Sequence, residues 1–81
     1  MMGIEELREL QNKLEKEANQ LANKIMNLED TLFSRREVEK ITHTQVNLLD
    51  IQLSAMKSYY RVLRARIEDF EYEIRKLENE R

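Results

Sequence analysis

The chain contains no cysteine and no proline, and its one glycine stands at position 3. Without cysteine there is no disulfide framework, no thiolate metal site and no thiol nucleophile. Without proline, and with glycine confined to the N-terminus, the tight turns of a many-stranded sheet lack the residues that form them. Long apolar runs are missing as well. None approaches the ~20 residues that cross a bilayer, and none resembles the core of a signal peptide. The expectation is therefore a soluble, cytoplasmic protein with no membrane partner. An excess of positive charge is also lacking: the formal charge is −2, which speaks against binding to duplex nucleic acid.

What remains is a short chain, 81 residues with 37% charged side chains, enough for one domain, residues 1–81. Its apolar residues are spaced by sevens. From Ile4 to Leu32 one row is Ile4, Gln11, Ala18, Ile25 and Leu32, and the other is Leu7, Leu14, Leu21 and Leu28. These are the two seam rows of a heptad, interrupted by one polar residue, Gln11. A second series runs Val46, Leu53, Tyr60, Ile67 and Ile74, with Leu49, Met56, Leu63, Phe70 and Leu77 beside it. The pattern predicts a first helix over about 4–33, a connector over 34–44 and a second helix over about 45–80. Two capping signals fall in the connector, Ser34–Glu37 and Thr42–Gln45, so a short helical turn is expected between the long helices.

Folding the second helix back on the first sets Leu32 opposite Val46, Ala18 opposite Tyr60 and Ile4 opposite Ile74. The predicted fold is all-α: an antiparallel coiled-coil helical hairpin, oligomeric. In this register Gln11 faces Ile67, a mismatch expected to mark solvent or a partner. Association is expected because a second apolar stripe, Leu48, Ala55 and Val62 with Ile51 beside it, lies off the seam. A lone hairpin has a thin core, and burying that stripe against another copy would thicken it. The expected state is a homo-oligomer, a dimer or a higher even number.

Catalytic chemistry finds little to work with. His43 is the one histidine, and no serine, cysteine or carboxylate stands at a spacing that would enlist it. No glycine-rich phosphate loop or metal-ligand spacing occurs. The reading is no enzyme, no catalytic residue, no metal and no cofactor. The charge distribution is more informative. Between Ile51 and Ile67 there is no acid, while Lys57, Arg61, Arg64 and Arg66 are all basic and Tyr59 and Tyr60 lie among them. Arginine forks match phosphate, and tyrosine rings stack on bases, so Lys57, Tyr59, Arg61, Arg64 and Arg66 are candidate ligand-binding residues. Arg35 and Arg36 form a second, smaller cluster in the connector. The competing structural reading has the same cations bridging to acids of the first helix, such as Glu15 and Glu17.

The segment Leu48-Leu49-x-x-Gln52-Leu53-x-Ala55-Met56-x-x-Tyr59-x-x-Val62-Leu63-x-x-Arg66-Ile67 resembles the signature of a family of small phage proteins. That family includes the anti-CBASS sponges, oligomeric helical proteins that sequester cyclic oligonucleotide signals of bacterial immunity. Glu17-x-Asn19-Gln20-Leu21-x-x-Lys24-Ile25-x-x-Leu28 adds a looser match, extending the resemblance over residues 17–67. The resemblance implies a non-catalytic protein that binds a cyclic di- or trinucleotide between protomers in the host cytoplasm, with Arg66 the leading phosphate contact. This chain departs from the family at Ala18, where a tyrosine is usual, and at Phe33-Ser34, where a lysine is expected. The alternative is a coiled-coil interaction module of phage origin that docks a protein partner through Leu48, Ile51, Ala55 and Val62.

Overall fold

The computed structural model describes residues 2–80. Three helices follow one another: α1, Ile4–Phe33; α2, Arg35–Val38; and α3, His43–Asn79. There is no strand among the described residues. The chain forms a rod of 60 × 15 × 15 Å with a radius of gyration of 17.9 Å, where a compact domain of this length would have about 12 Å. A straight helix as long as α3 spans about 55 Å, so the two long helices set the length of the molecule.

Local chemistry accounts for where each helix begins and ends. α1 starts at Gly3 without a side-chain cap, and Glu5 and Glu6 occupy its first turn, where negative charge meets the positive end of the helix dipole. Ser34 closes α1 and opens α2: its amide donates to the Thr31 carbonyl at 3.2 Å, and its hydroxyl accepts from the Glu37 amide at 3.4 Å. The expected return contact from Glu37 to the Ser34 amide is replaced, because Lys40 holds the Glu37 carboxylate at 3.2 Å. Thr42 caps α3 by accepting from the Gln45 amide at 3.1 Å. This cap makes His43 the first helical residue, two positions earlier than the sequence pattern suggests. α2 is correspondingly a single turn that stops at Val38.

The long helices pack antiparallel along their seams. Leu7, Leu14, Ala18 and Ile25 of α1 are buried, as are Leu53, Leu63, Ile67 and Ile74 of α3. The centre of the core is Leu14, Ala18, Leu63 and Ile67, with Leu21, Tyr60 and Phe70 packed around it. Ala18 and Leu63 are each 0% exposed. The small Ala18 side chain lets the helices close together where Tyr60 and Leu63 need room. Gln11 corrects one expectation. It neither faces solvent unpaired nor waits for a partner, but donates to the Ile67 carbonyl at 3.4 Å and to the Glu71 carboxylate at 2.9 Å. A long amide at a seam position reaches across to the neighbouring backbone and to a flanking acid, so the mismatch with Ile67 is resolved inside the hairpin.

Candidate functional site

The two long edges of the hairpin differ in kind. Along one edge, seven-residue steps carry Arg8, Glu15, Ala22 and Glu29 on α1, and Lys57, Arg64, Glu71 and Glu78 on α3. These residues meet across the helices as a ladder. Arg8 pairs with Glu78, Gln11 donates to Glu71, Arg64 meets Glu15 at 3.1 Å, and Lys57 meets Glu29 at 2.9 Å. Gln11 also holds the Glu71 carboxyl below its usual range by hydrogen bonding, and the Arg75 guanidinium at 3.2 Å adds to that effect. Along the opposite edge lie Gln52, Tyr59, Arg66 and Glu73. The one cross-helix hydrogen bond there is donated by the Tyr59 hydroxyl to Glu17. This bond raises the Tyr59 phenol above its ordinary pKa, with some burial in support, while nearby Arg66 pulls it back.

The acid-free segment is therefore divided by the fold. Lys57 and Arg64 are tied to acids of α1, as the structural reading of the charges anticipates. Glu15 takes an arginine as expected, but Glu17 takes the Tyr59 hydroxyl instead. Arg61 and Arg66 have no carboxylate within 4 Å among the described residues, and they stand on different faces. Arg66 borders a shallow groove with Val62, Ala65, Asp69 and Phe70. Arg61 borders a second groove with Ala22, Ile25, Met26, Lys57 and Tyr60. The candidate cations thus do not converge on one centre within a single chain. In the connector, Arg35 is bridged to Glu39 at 3.3 Å, and Arg36 is exposed in α2. His43 is exposed in the first turn of α3.

The off-seam apolar residues stay uncovered. Leu48 is 52% exposed, Ile51 65% and Val62 53%, and Ala55 is exposed between them. Met26 and Phe33 are further large apolar side chains open to solvent. The sequence pattern places Ala22 and Met26, with Leu10, off the seam, as apolar surface that another copy could cover rather than as part of a ligand site. The signal that finds them is the series Arg8, Glu15, Ala22, Glu29, in which Ala22 is the one uncharged rung.

Residues 5–69 match the family model described as Sequestin. The chain belongs to the Sequestin family. The match takes in nearly all of α1, the connector and α3 as far as Asp69, and so contains the whole of residues 17–67 on which the resemblance rests. No curated protein and no solved structure matches the chain. The Sequestin region encloses Arg61 and Arg66, both grooves they border except for Phe70, and the uncovered stripe through Leu48, Ala55 and Val62. The last turns of α3, which close the rod around Ile74 and Leu77, lie beyond it. No described helix is long and apolar enough to cross a membrane.

Proposed function

We propose that this Sequestin-family chain works by sequestration, binding a cyclic di- or trinucleotide signal and withholding it from its receptor without altering it. The observation that carries this reading is the family match over residues 5–69. The family's name denotes withholding, and the matched region contains the chain's one acid-free, arginine-bearing segment. In a phage setting the signal is one of bacterial antiviral immunity, and the protein acts in the host cytoplasm. The role asks for no catalysis: inhibition follows when enough copies hold the free signal below its effector's threshold. Arg61 and Arg66 supply phosphate contacts without first breaking an ion pair, whereas Lys57 and Arg64 would exchange one carboxylate for another anion.

Self-association belongs to the same proposal. The chain exposes 6537 Å², where a compact monomer of 9.8 kDa would expose about 5,200 Å². The excess is more than the roughly 800 Å² that each partner contributes to a standard protein interface. Leu48, Ile51, Ala55 and Val62 are the residues that would be covered, in a dimer or a higher even-numbered oligomer. Calorimetric titration with cyclic di- and trinucleotides and cyclic ADP-ribose isomers tests the ligand. Saturable binding of one of them is expected, and absence of heat and of thermal shift with all of them overturns the reading. The exposure of Leu48, Ile51 and Val62 favours a second reading, a protein-docking module. In that case Leu48→Glu or Val62→Glu abolishes activity, while the double variant Arg61→Ala/Arg66→Ala leaves it intact. Sequestration predicts that the double arginine variant stays folded and loses the ligand.

A further inference from the structure

The ladder of cross-helix pairs has one gap, and it lies at Ala22. The steps Arg8, Glu15 and Glu29 each present a charge to α3, but the step between Glu15 and Glu29 is a methyl group. The rungs on either side are Arg64–Glu15 and Lys57–Glu29. Between them opens a groove of about 340 Å³ lined by Ala22, Ile25, Met26, Lys57, Tyr60 and Arg61. Its floor is apolar, formed by Ala22, buried Ile25 and Met26, the last 60% exposed. Tyr60 is half-buried in the seam and shows part of its ring to the groove. Arg61 stands at the rim with no acid of its own, four residues from Lys57 and three from Arg64 on the same helix, so the three cations share one face. Against them stand two carboxylates, Glu15 and Glu29, each already held by a cation. The gap therefore keeps one uncompensated positive charge beside a flat apolar surface.

We infer that the gap at Ala22 is a seat for one nucleotide unit, with the base against Ala22, Met26 and the Tyr60 ring and the phosphate on Arg61. This rests on the sequestration reading and says where in each chain the ligand sits. Three features support it. The groove's size lies at the lower end of ligand sites, suited to one nucleotide rather than two. Its components are those of base-and-phosphate recognition: a π-face, an apolar floor and a guanidinium fork. The competing place, beside Tyr59 and Arg66 on the other edge, already has an anion in it, because Glu17 accepts the Tyr59 hydroxyl. A phosphate arriving there would meet a carboxylate with no cation within 4 Å among the described residues, whereas beside Arg61 the carboxylates of Glu15 and Glu29 are already paired with Arg64 and Lys57. Lys57, 2.9 Å from Glu29, borders the groove and is close enough to share a phosphate.

Methyl NMR on the full chain tests this, with cyclic di-AMP, cyclic GMP–AMP, cyclic tri-AMP and AMP as probes. The expected result is a ring-current shift of the Met26 and Ala22 methyl resonances on titration, with the Leu77 methyls at the far end of the rod unmoved. Arg61→Ala is expected to weaken the best probe at least tenfold. Ala22→Leu, which fills the groove from an edge position, should do the same, while Arg66→Ala, on the other edge, weakens the probe clearly less than Arg61→Ala does. Circular dichroism of each variant guards against unfolding, and Arg61 is exposed enough for its variant to remain folded. The reverse ranking, with Arg66→Ala losing the probe and Arg61→Ala retaining it, overturns the seat and leaves sequestration standing. If none of these probes binds the unmodified chain, the seat as stated falls, while the sequestration reading is decided by the wider calorimetric panel that includes the cyclic ADP-ribose isomers.

Discussion

The half of the rod that holds the chain ends and the half that holds the bend are made from equally apolar seams, yet they fold to different quality. Toward the ends, Leu7, Leu14, Ala18, Leu63, Ile67 and Ile74 are buried, and Arg8, Gln11 and Glu15 are all tied across to α3. Toward the bend, Ile25 and Leu53 are the buried seam residues, Lys57–Glu29 is the cross-helix ion pair, and Met26, Phe33, Leu48 and Ile51 face outward. The difference starts at Ala18. A side chain of one methyl lets the helices approach, and the large residues on either side then exclude water. No seam position nearer the bend is as small; Leu21, Leu28, Val46, Leu49 and Met56 are each left half-buried. The end half holds most of the buried seam although Met2, Val62 and Tyr72 stay exposed, whereas the bend half buries less of its seam and keeps apolar surface of the sort that other molecules cover.

Several substitutions would break or sharpen this contrast. Leu63→Ala empties the best-buried aliphatic site and should cost about 2–5 kcal/mol, enough to unfold a small hairpin. Leu53→Ala in the bend half should cost clearly less, and urea denaturation of the two variants compares the halves directly. Ala18→Tyr restores the residue usual in the resembling family but forces a ring into a site with no exposure. The helices would have to part there, at a cost of about 1–3 kcal/mol, read as a lowered melting temperature. Thr42→Ala removes the cap on α3 and should cost about 1 kcal/mol. Hydrogen exchange should locate that loss in the first turn of α3, with the amides around Ile67 unchanged.

The smallest effect concerns acid. Glu71 has its pKa lowered in the fold, first by Gln11 and then by Arg75. Its contribution is therefore present above the unfolded-state carboxylate pKa of about 4.3 and is lost as pH falls through the lower, folded value. Gln11→Leu should return the Glu71 titration, followed by the carboxyl 13C shift, toward the ordinary range. The same change adds apolar burial to the end half. A Glu71 titration that stays depressed in this variant would assign the shift to Arg75 instead.

The hairpin could be read from the sequence because both seams keep the seven-residue spacing with Gln11 as the one polar residue, and the register followed from equal spacing on either side of the bend. Ala18 beside Tyr60 and Gln11 beside Ile67 are where that register puts them. Gln11's partner could not be read in the same way. Reaching Glu71 depends on how far a flexible side chain leans along the neighbouring helix, and periodicity carries no information on that. Periodicity resumes only at Val46 and so places the start of α3 near residue 45, whereas the capping signal at Thr42 marks the true start at His43. For the candidate site, composition located the cations and their spacing assigned them to faces. Arg61 and Arg66 are five residues apart, a spacing that separates neighbours on a helix. Which of the cations were already engaged depended on the acids of α1.

Eight apolar side chains are buried among the described residues. Most of the other positions are exposed, and there substitutions usually change folding stability by less than about 0.5 kcal/mol. A lineage carrying this chain is thus free to rewrite its exterior while the interior stays constant. The rod can change what it recognises by single steps, none of which has to pass through an unfolded ancestor.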